Sequence, residues 1–428
     1  MAIHSVALGD IPATEPSVSR RYAWVVFALT FGLLISDYMS RQVLNAVFPL
    51  LKTEWVLSDA QLGLLSGIVA VMVGVLTFPL SLLADRWGRV RSLVLMAMLW
   101  SLATLGCALA ENFPQMFAAR FLVGVGEAAY GSVGIAVVIS VFPAHLRATL
   151  TGAFMAGGMF GSVLGMGLGG VLAAHLGWRW AFAGMALFGL LLALAYPLLV
   201  NDKRIGHVRT TSGTRSGHSL KSLFASRSVV SAYIGSGLQL FVGAAVMVWL
   251  PSYLNRYYHM GTDRAGMVSG LVVLVGGTGM VLCGILCDRL GRTAPQRKIV
   301  LAIAFCVISC LLLSVAFRLP PGAVQLSLIA LAMLVATGTS GPAGAMVANL
   351  THAAVHGTAF ATLTLVNNLL GLAPGPLLTG VLADHLGLDR AFQLIPLISV
   401  AAALVFCYAY RHYPADIQRL RGGEGAAC

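Results

Sequence analysis

Charge is what this sequence has least of. Asp, Glu, Lys and Arg make up 10% of 428 residues, against about 25% in soluble domains. That excludes a soluble globular class. Acid is the scarcer sign, with 15 Asp and Glu against 27 Lys and Arg. None of the ten histidines falls at mid-depth in an apolar run. No Gly-x-x-x-x-Gly-Lys loop occurs, which leaves an ATP-driven pump unsupported. The seven cysteines have no polar flanks of the zinc type and form no disulfide framework, so packing is their expected role and no metal site is expected. The net charge of +12 comes without an RNA- or DNA-reading motif, so no nucleic-acid partner is expected. "MAIHSVALGDIPATEPSVSRRYAW" lacks a short apolar core with a cleavage site. It is expected to be a polar tail, not a signal peptide.

What fills the chain is apolar sequence. Hydrophobic residues reach 58% and the mean hydropathy is +0.87. The apolar runs have the length of about 20 residues that crosses a bilayer core. Twelve spans are expected, at about 22–50, 60–84, 92–110, 114–142, 148–174 and 179–200, then 229–255, 265–288, 298–318, 323–350, 358–384 and 391–411. The fold class is therefore an all-α membrane protein. Its expected organisation is a tail (1–21), a six-helix bundle (22–200), a polar basic linker (201–228), a second six-helix bundle (229–411) and a second tail (412–428). An even span count puts both termini on one side. Nineteen of the 27 Lys and Arg fall on that side with the linker, six on the other, and two, Arg41 and Arg120, inside spans. Positive charge collects in cytoplasmic loops, so both termini are expected in the cytoplasm.

The halves repeat. "SLLADRWGR" (81–89) matches "GILCDRLGR" (284–292), and "GGVLAAHLGWRWAF" (169–182) matches "TGVLADHLGLDRAF" (379–392). "TGAF" (151–154) matches "GTAF" (357–360), and the offsets stay between 203 and 210. Two related six-helix bundles around a central path are a transporter plan. The first pair carries Asp85, Arg86, Gly88 and Arg89 in one copy, and Asp288, Arg289, Gly291 and Arg292 in the other. Glycine permits a tight turn, the carboxylate can accept from a helix N-terminus, and the arginines can pair across the bundles. These loops are expected to act as latches that engage when the cytoplasmic side is closed. A plain topology-setting loop is the simpler alternative.

Only four charges lie well inside spans: Asp37, Arg41, Arg120 and Glu127. An intramembrane charge costs roughly 3 kcal/mol on insertion scales and is usually functional. Asp37 and Arg41 are four apart, on one helix face. Glu127 follows Arg120 by seven residues, on one side of the fourth span. Loss of water favours a neutral carboxyl, whereas a nearby arginine favours its anion. That competition can make a proton switch, against the alternative of a fixed buried ion network. Tyr130, Gln239, Asn367 and Asn368 can hydrogen-bond a solute in a cavity, or equally pack helix to helix. Gly157, Gly161, Gly165 and Gly169 form a stripe that allows close helix approach.

The paired loops resemble the signature loop of the major facilitator superfamily, and the resemblance runs over essentially the whole chain. "RFLVGVG" looks like its helix 4 motif, with Arg120, Gly124 and Gly126 in place. "GLAPGPLLTG" keeps the Gly375-Pro376 of its Gly/Pro motif, while "GSVLGMGLGG" has Met166 where proline is usual and the first loop has Ser81 where glycine is usual. The resemblance implies two pseudo-symmetric bundles, with the glycine stripe at their sliding contact. "VGVGEAAYGS" and the Asp/Arg cluster look like the spinster-type branch, which includes proton-linked carriers of lysophospholipids and sphingosine phosphate. That branch usually has an adjacent Asp-Arg pair, where this chain has Ser40-Arg41 with Asp37 one turn away.

The expected function is proton-coupled secondary transport by alternating access, of an amphiphilic or small organic anion, lysophospholipid-like by resemblance. Arg41 would hold the anion, with Tyr130, Gln239, Asn367 and Asn368 as helpers. Glu127 and Asp37 would carry the proton. Alternatives are an organic-acid/proton symporter, a drug/proton exporter, which Arg41 disfavours, and a non-transporting receptor. No catalytic residue or cofactor is assigned, since the proton gradient would supply the energy. The expected partners are the lipid bilayer, the substrate and protons. The expected state is a monomer in a bacterial inner membrane.

Overall fold

The computed structural model describes residues 18–143, 146–201, 224, 226–291, 294, 296–351 and 355–425. Among the described residues, twelve helices are long and apolar enough to cross a membrane. The first six are α1 (Arg20–Trp55), α2 (Asp59–Trp87), α3 (Arg89–Leu109), α4 (Phe113–Val141), α5 (Thr149–Leu176) and α6 (Trp178–Leu199). The second six are α7 (Arg227–Tyr258), α8 (Thr262–Gly291), α9 (Gln296–Ala316), α10 (Ala323–Leu350), α11 (His356–Leu386) and α12 (Leu388–Arg419). In lipid every backbone polar group must find a partner within the protein, and a helix satisfies its own. The exposed helix ends follow ordinary capping chemistry. Ser19, Asn112 and Ser226 accept from the first turns of α1, α4 and α7, and Ser58 with Gln61 forms a capping box on α2.

The duplication is visible in the turns. Gly177 and Gly387, which match in the repeat, take φ of +92° and +85° between α5 and α6 and between α11 and α12. A side chain there would be strained. Both central helices are interrupted at mid-depth. α4 breaks after Glu127 and resumes at Tyr130. α10 passes through a 3₁₀ turn, Thr337–Thr339. The Thr77 hydroxyl donates to the Ala128 carbonyl at the α4 break, 2.5 Å away.

Two boundaries differ from expectation. Residues 202–223 of the linker lie outside the described residues, and α7 already begins at Arg227. The chain after 411 was expected to be a tail, yet α12 continues through Arg419. Asp416 gives the reason. Its Oδ2 accepts from the Ser226 hydroxyl and the Ser228 amide, each at 2.9 Å, so the extension pins the start of α7.

The halves meet along two seams, α2 against α11 and α5 against α8, and part toward the end that bears the termini. On one seam, a Cβ at Gly170 would lie 2.6 Å from the Thr262 carbonyl. Gly266 faces Met166, Gly270 faces Val163, and Gly277 faces Met159. Beyond these, Gly152 and Gly284 have nothing within 4 Å. On the other seam, Gly63 meets Pro376, Gly67 meets Ala373, and Gly74 meets Asn368. Farther along, Phe78 and Leu82 are exposed.

The stripe of Gly157, Gly161, Gly165 and Gly169 is not at this sliding contact, which corrects the expectation. It packs α5 onto α1 of the same half, against Phe31, Ile35, Met39 and Val43. Gly375 does the equivalent in the second half, against the Phe241 carbonyl of α7. The stripe and the seam are neighbouring faces of one helix, and spacing alone cannot say which partner each face meets.

The seam predicts its own sensitivity. At Gly266 an added Cβ would sit 2.5 Å from the Met166 carbonyl, whereas at Gly167 it would meet open space. Gly266→Ala is expected to cost about 1–3 kcal/mol from overpacking. Gly167→Ala is expected to be neutral or to gain up to about 1 kcal/mol. Thermal unfolding midpoints of the two variants test this; equal midpoints would mean the seam is loose.

Candidate functional site

The four mid-span charges meet on one side of the first half. Asp37 and Arg41 face inward from α1, and Glu127 closes the first segment of α4. Arg41 Nε lies 2.6 Å from Glu127 Oε2 and 3.4 Å from Asp37 Oδ1. The Arg41 side chain keeps 21% exposure, against 4% for Asp37 and 0% for Glu127. Among these three, the guanidinium alone reaches open space. Neither approach is aligned as a hydrogen bond, and Glu127 Oε1 has no partner among the described residues. Tyr38 lies beneath the guanidinium, 5.4 Å from ring centre to Cζ, within cation–π range.

Arg120 plays a different part. It is 1% exposed. Its Nη1 donates to the Ser40 carbonyl at 2.9 Å and its Nε to the Leu65 carbonyl at 3.3 Å. It therefore ties α4 to α1 and α2 and holds the frame in which Arg41 and Glu127 meet. Gly124 and Gly126 let α4 approach its neighbours: a Cβ on Gly124 would meet Val69 and Met72, and one on Gly126 would meet Trp100.

The expected helpers are dispersed. Tyr130 is fully buried, donates to the Thr30 carbonyl at 2.7 Å, and packs edge-on against Trp100. It is a packing residue here, which corrects its place as a cavity hydrogen-bonder. Gln239 is also buried, and its Nε2 donates to Ser309 inside the second half. Asn368 sits on the α2–α11 seam and donates to the Thr364 carbonyl. Asn367 is half-buried, and its Oδ1, like Asn368 Oδ1 and Gln239 Oε1, has no hydrogen-bond partner among the described residues. These two asparagines stand in a π-helical turn, Asn367–Leu372, and such turns are frequent at functional sites.

The loop residues lie at the open end. Asp85 pairs with Arg89 of its own loop at 3.5 Å, and Asp288 with Lys298 of its own half at 2.7 Å. Arg86 and Arg289 are exposed, Gly88 closes the turn between α2 and α3, and Gly291 is the last residue of α8; Arg292 lies outside the described residues. Among the described residues no ion pair crosses the halves here.

At the opposite end a cross-half cluster appears that sequence reasoning missed. Asp59, 2% exposed, receives both Nη atoms of Arg256 from α7, at 2.5 and 2.8 Å. Lys52 Nζ joins it at 2.5 Å. Asp384 of α11 caps α2 from the other half, accepting from the Asp59 amide at 2.7 Å and the Ala60 amide at 2.8 Å. Above it Phe48 of α1 packs on Trp249 of α7, with ring centres 5.2 Å apart. One signal was available: Asp384 stands where the first repeat has Ala174.

This architecture has known relatives. The chain is 25% identical over 415 residues to the probable L-galactonate transporter of Escherichia coli (strain K12), covering 92% of this chain and 90% of that one. It is 27% identical over 423 residues to protein spinster homolog 1 of Xenopus laevis, covering 91% and 78%. Its fold matches that of a bacterial homolog of the human lysosomal transporter Spinster, solved inward-facing and unoccupied, with a TM-score of 0.83, 20% identity and coverage of 93% and 99%. The family model for the Major Facilitator Superfamily matches residues 30–374. This multi-pass membrane protein, a transporter by fold and descent, belongs to the Major Facilitator Superfamily.

Proposed function

We propose that the protein couples uptake of a small organic anion to a proton, through Arg41, Glu127 and Asp37. The observation that carries this reading is the guanidinium of Arg41, its side chain 21% exposed, held by two buried carboxylates. The two carboxylates and the guanidiniums of Arg41 and Arg120 balance in charge. A substrate anion arriving at Arg41 adds one negative charge to a poorly solvated site, where an uncompensated ion costs several kcal/mol. A proton on Glu127 cancels that charge and frees Arg41 for the substrate. Anion and proton therefore bind together or not at all, which is symport.

The relative named for L-galactonate, an organic acid, supports a carboxylate substrate; the spinster relatives keep a lysophospholipid as the second reading. The excess of Lys and Arg on the terminal side supports cytoplasmic termini and an inward-open state. Asp85 and Asp288 then act as the latches of the opposite state.

The test is uptake into proteoliposomes under a pH gradient, offering sugar acids, aromatic acids and lysophospholipids in turn. Arg41→Lys keeps the charge but loses the planar fork. For the transported anion it is expected to weaken apparent affinity about tenfold, and Arg41→Ala about a hundredfold. Unchanged affinity in both variants would leave Arg41 as a counter-ion only.

A further inference from the structure

The corner formed by α2, α3 and α4 carries a hollow that none of Asp37, Arg41 and Glu127 lines. It measures about 140 Å³ and is lined by Leu80, Leu83, Leu95, Met96, Leu99 and Gly126. A second hollow of about 410 Å³ lies between α3 and α6, shares Leu95 with the first, and is bordered by Arg91. One polar side chain also faces the first hollow. Ser92 is 3% exposed, and its hydroxyl has no hydrogen-bond partner among the described residues. Arg91 is exposed and likewise has no ion pair among the described residues. Trp87 stands exposed at the rim, as tryptophans do at a membrane–water boundary.

The order of these groups along α3 carries the argument. Arg91 lies at the helix end, Ser92 beside it, Leu95 and Met96 a turn deeper, and Leu99 a turn beyond. At 1.5 Å per residue, Arg91 to Leu99 spans about 12 Å along the membrane normal. Arg91 borders the second hollow and Ser92 the first, about 100° apart around α3, with Leu95 common to both; a cation and a hydroxyl donor at the helix end, above an apolar trough, complement a phosphate, an ester carbonyl and an acyl chain.

We propose that this corner binds one anionic glycerophospholipid of the adjacent leaflet. The phosphate pairs with Arg91, an ester carbonyl accepts from Ser92 Oγ, and one acyl chain lies in the hollow down to Gly126. The occupant presses on the α4 backbone one residue from Glu127, so it braces the break without entering the central cavity. At about 140 Å³ the hollow takes part of that chain, and the rest stays in the bilayer.

Native mass spectrometry of the delipidated full-length protein tests this, with phosphatidylglycerol and phosphatidylcholine of matched chains as probes. The parent is expected to retain one phosphatidylglycerol about tenfold more tightly than phosphatidylcholine, as a charge-assisted pair implies. Arg91→Gln is expected to bring the two lipids level. Leu99→Trp fills the trough and is expected to weaken both. Ser92→Ala adds no bulk, so it keeps the test open if the tryptophan variant misfolds; a loss of about two- to tenfold for both lipids is expected. Equal retention of the two lipids by the parent, or unchanged phosphatidylglycerol retention in Arg91→Gln, overturns the site.

Discussion

Glu127→Gln is expected to abolish accumulation against a gradient while leaving exchange intact. Glutamine is a fixed copy of the protonated acid, so Arg41 is released permanently and substrate can still bind. With one proton per anion, each pH unit supports about tenfold accumulation. The variant should fall to a ratio of one whatever the pH gradient, yet exchange labelled for unlabelled substrate between equal pools. Proteoliposomes loaded at two pH values measure both quantities. If the variant still concentrates substrate as the parent does, Glu127 is not the proton carrier. Asp37→Asn is the matched control. Asp37 stands farther from Arg41 than Glu127 does, at 3.4 against 2.6 Å, so its loss is expected to be the milder. Coupling lost in Asp37→Asn alone would move the proton to α1.

Asp59→Asn is expected to unlock the closed end. The carboxylate is 2% exposed and holds Arg256 with two contacts and Lys52 with a third. Arg256 and Lys52 keep 25% and 35% side-chain exposure, so losing their shared carboxylate costs charge-assisted hydrogen bonds of about 1.5–3 kcal/mol and strands no fully buried ion. That cost falls mainly on the state in which the cluster is formed, so the balance moves toward the other state by about tenfold to a hundredfold. Spin labels at Thr53 and Leu386, on a background without Cys407 and Cys428, report the gap by double electron–electron resonance. A longer distance population in Asp59→Asn is expected, and a smaller shift in Asp384→Asn. An unchanged distribution in Asp59→Asn would make the cluster a static brace.

The spans were legible because apolar length is a direct physical requirement of the bilayer. The central cluster was legible for the opposite reason: Asp37, Arg41 and Glu127 violate that requirement, and a violation is conspicuous. The closed-end cluster was hidden because its members sit at helix ends, where charge is ordinary. Asp59 and Arg256 are 197 residues apart in sequence, and Lys52 and Arg256 read as loop charges that set topology. Tyr130 shows a different limit. A tyrosine that opens the helix again after a break can face a cavity or a neighbouring helix, and only the Thr30 carbonyl and Trp100 ring decide it. The glycine stripe shows a third. Its spacing announced a close partner, but the partner was α1, and the seam uses Gly170, Gly266, Gly270 and Gly277 on adjoining faces.

That seam has a thermodynamic consequence. Ordering a long side chain costs up to about 2 kcal/mol of rotamer entropy, and ordering a glycine costs none. Where Gly170 meets Thr262 and Gly266 meets Met166, the contact is largely backbone on backbone. Closing such a surface freezes few rotors, and parting it releases few. The seam is then nearly neutral along the stroke and acts as a bearing, while the side chains at its two ends set which way the molecule rests. Asp59, Arg256 and Lys52 weight one end, and on the proposed reading the loops of Asp85 and Asp288 weight the other. A change of one charge at either end can tilt the cycle, because little stiffness in the middle resists it.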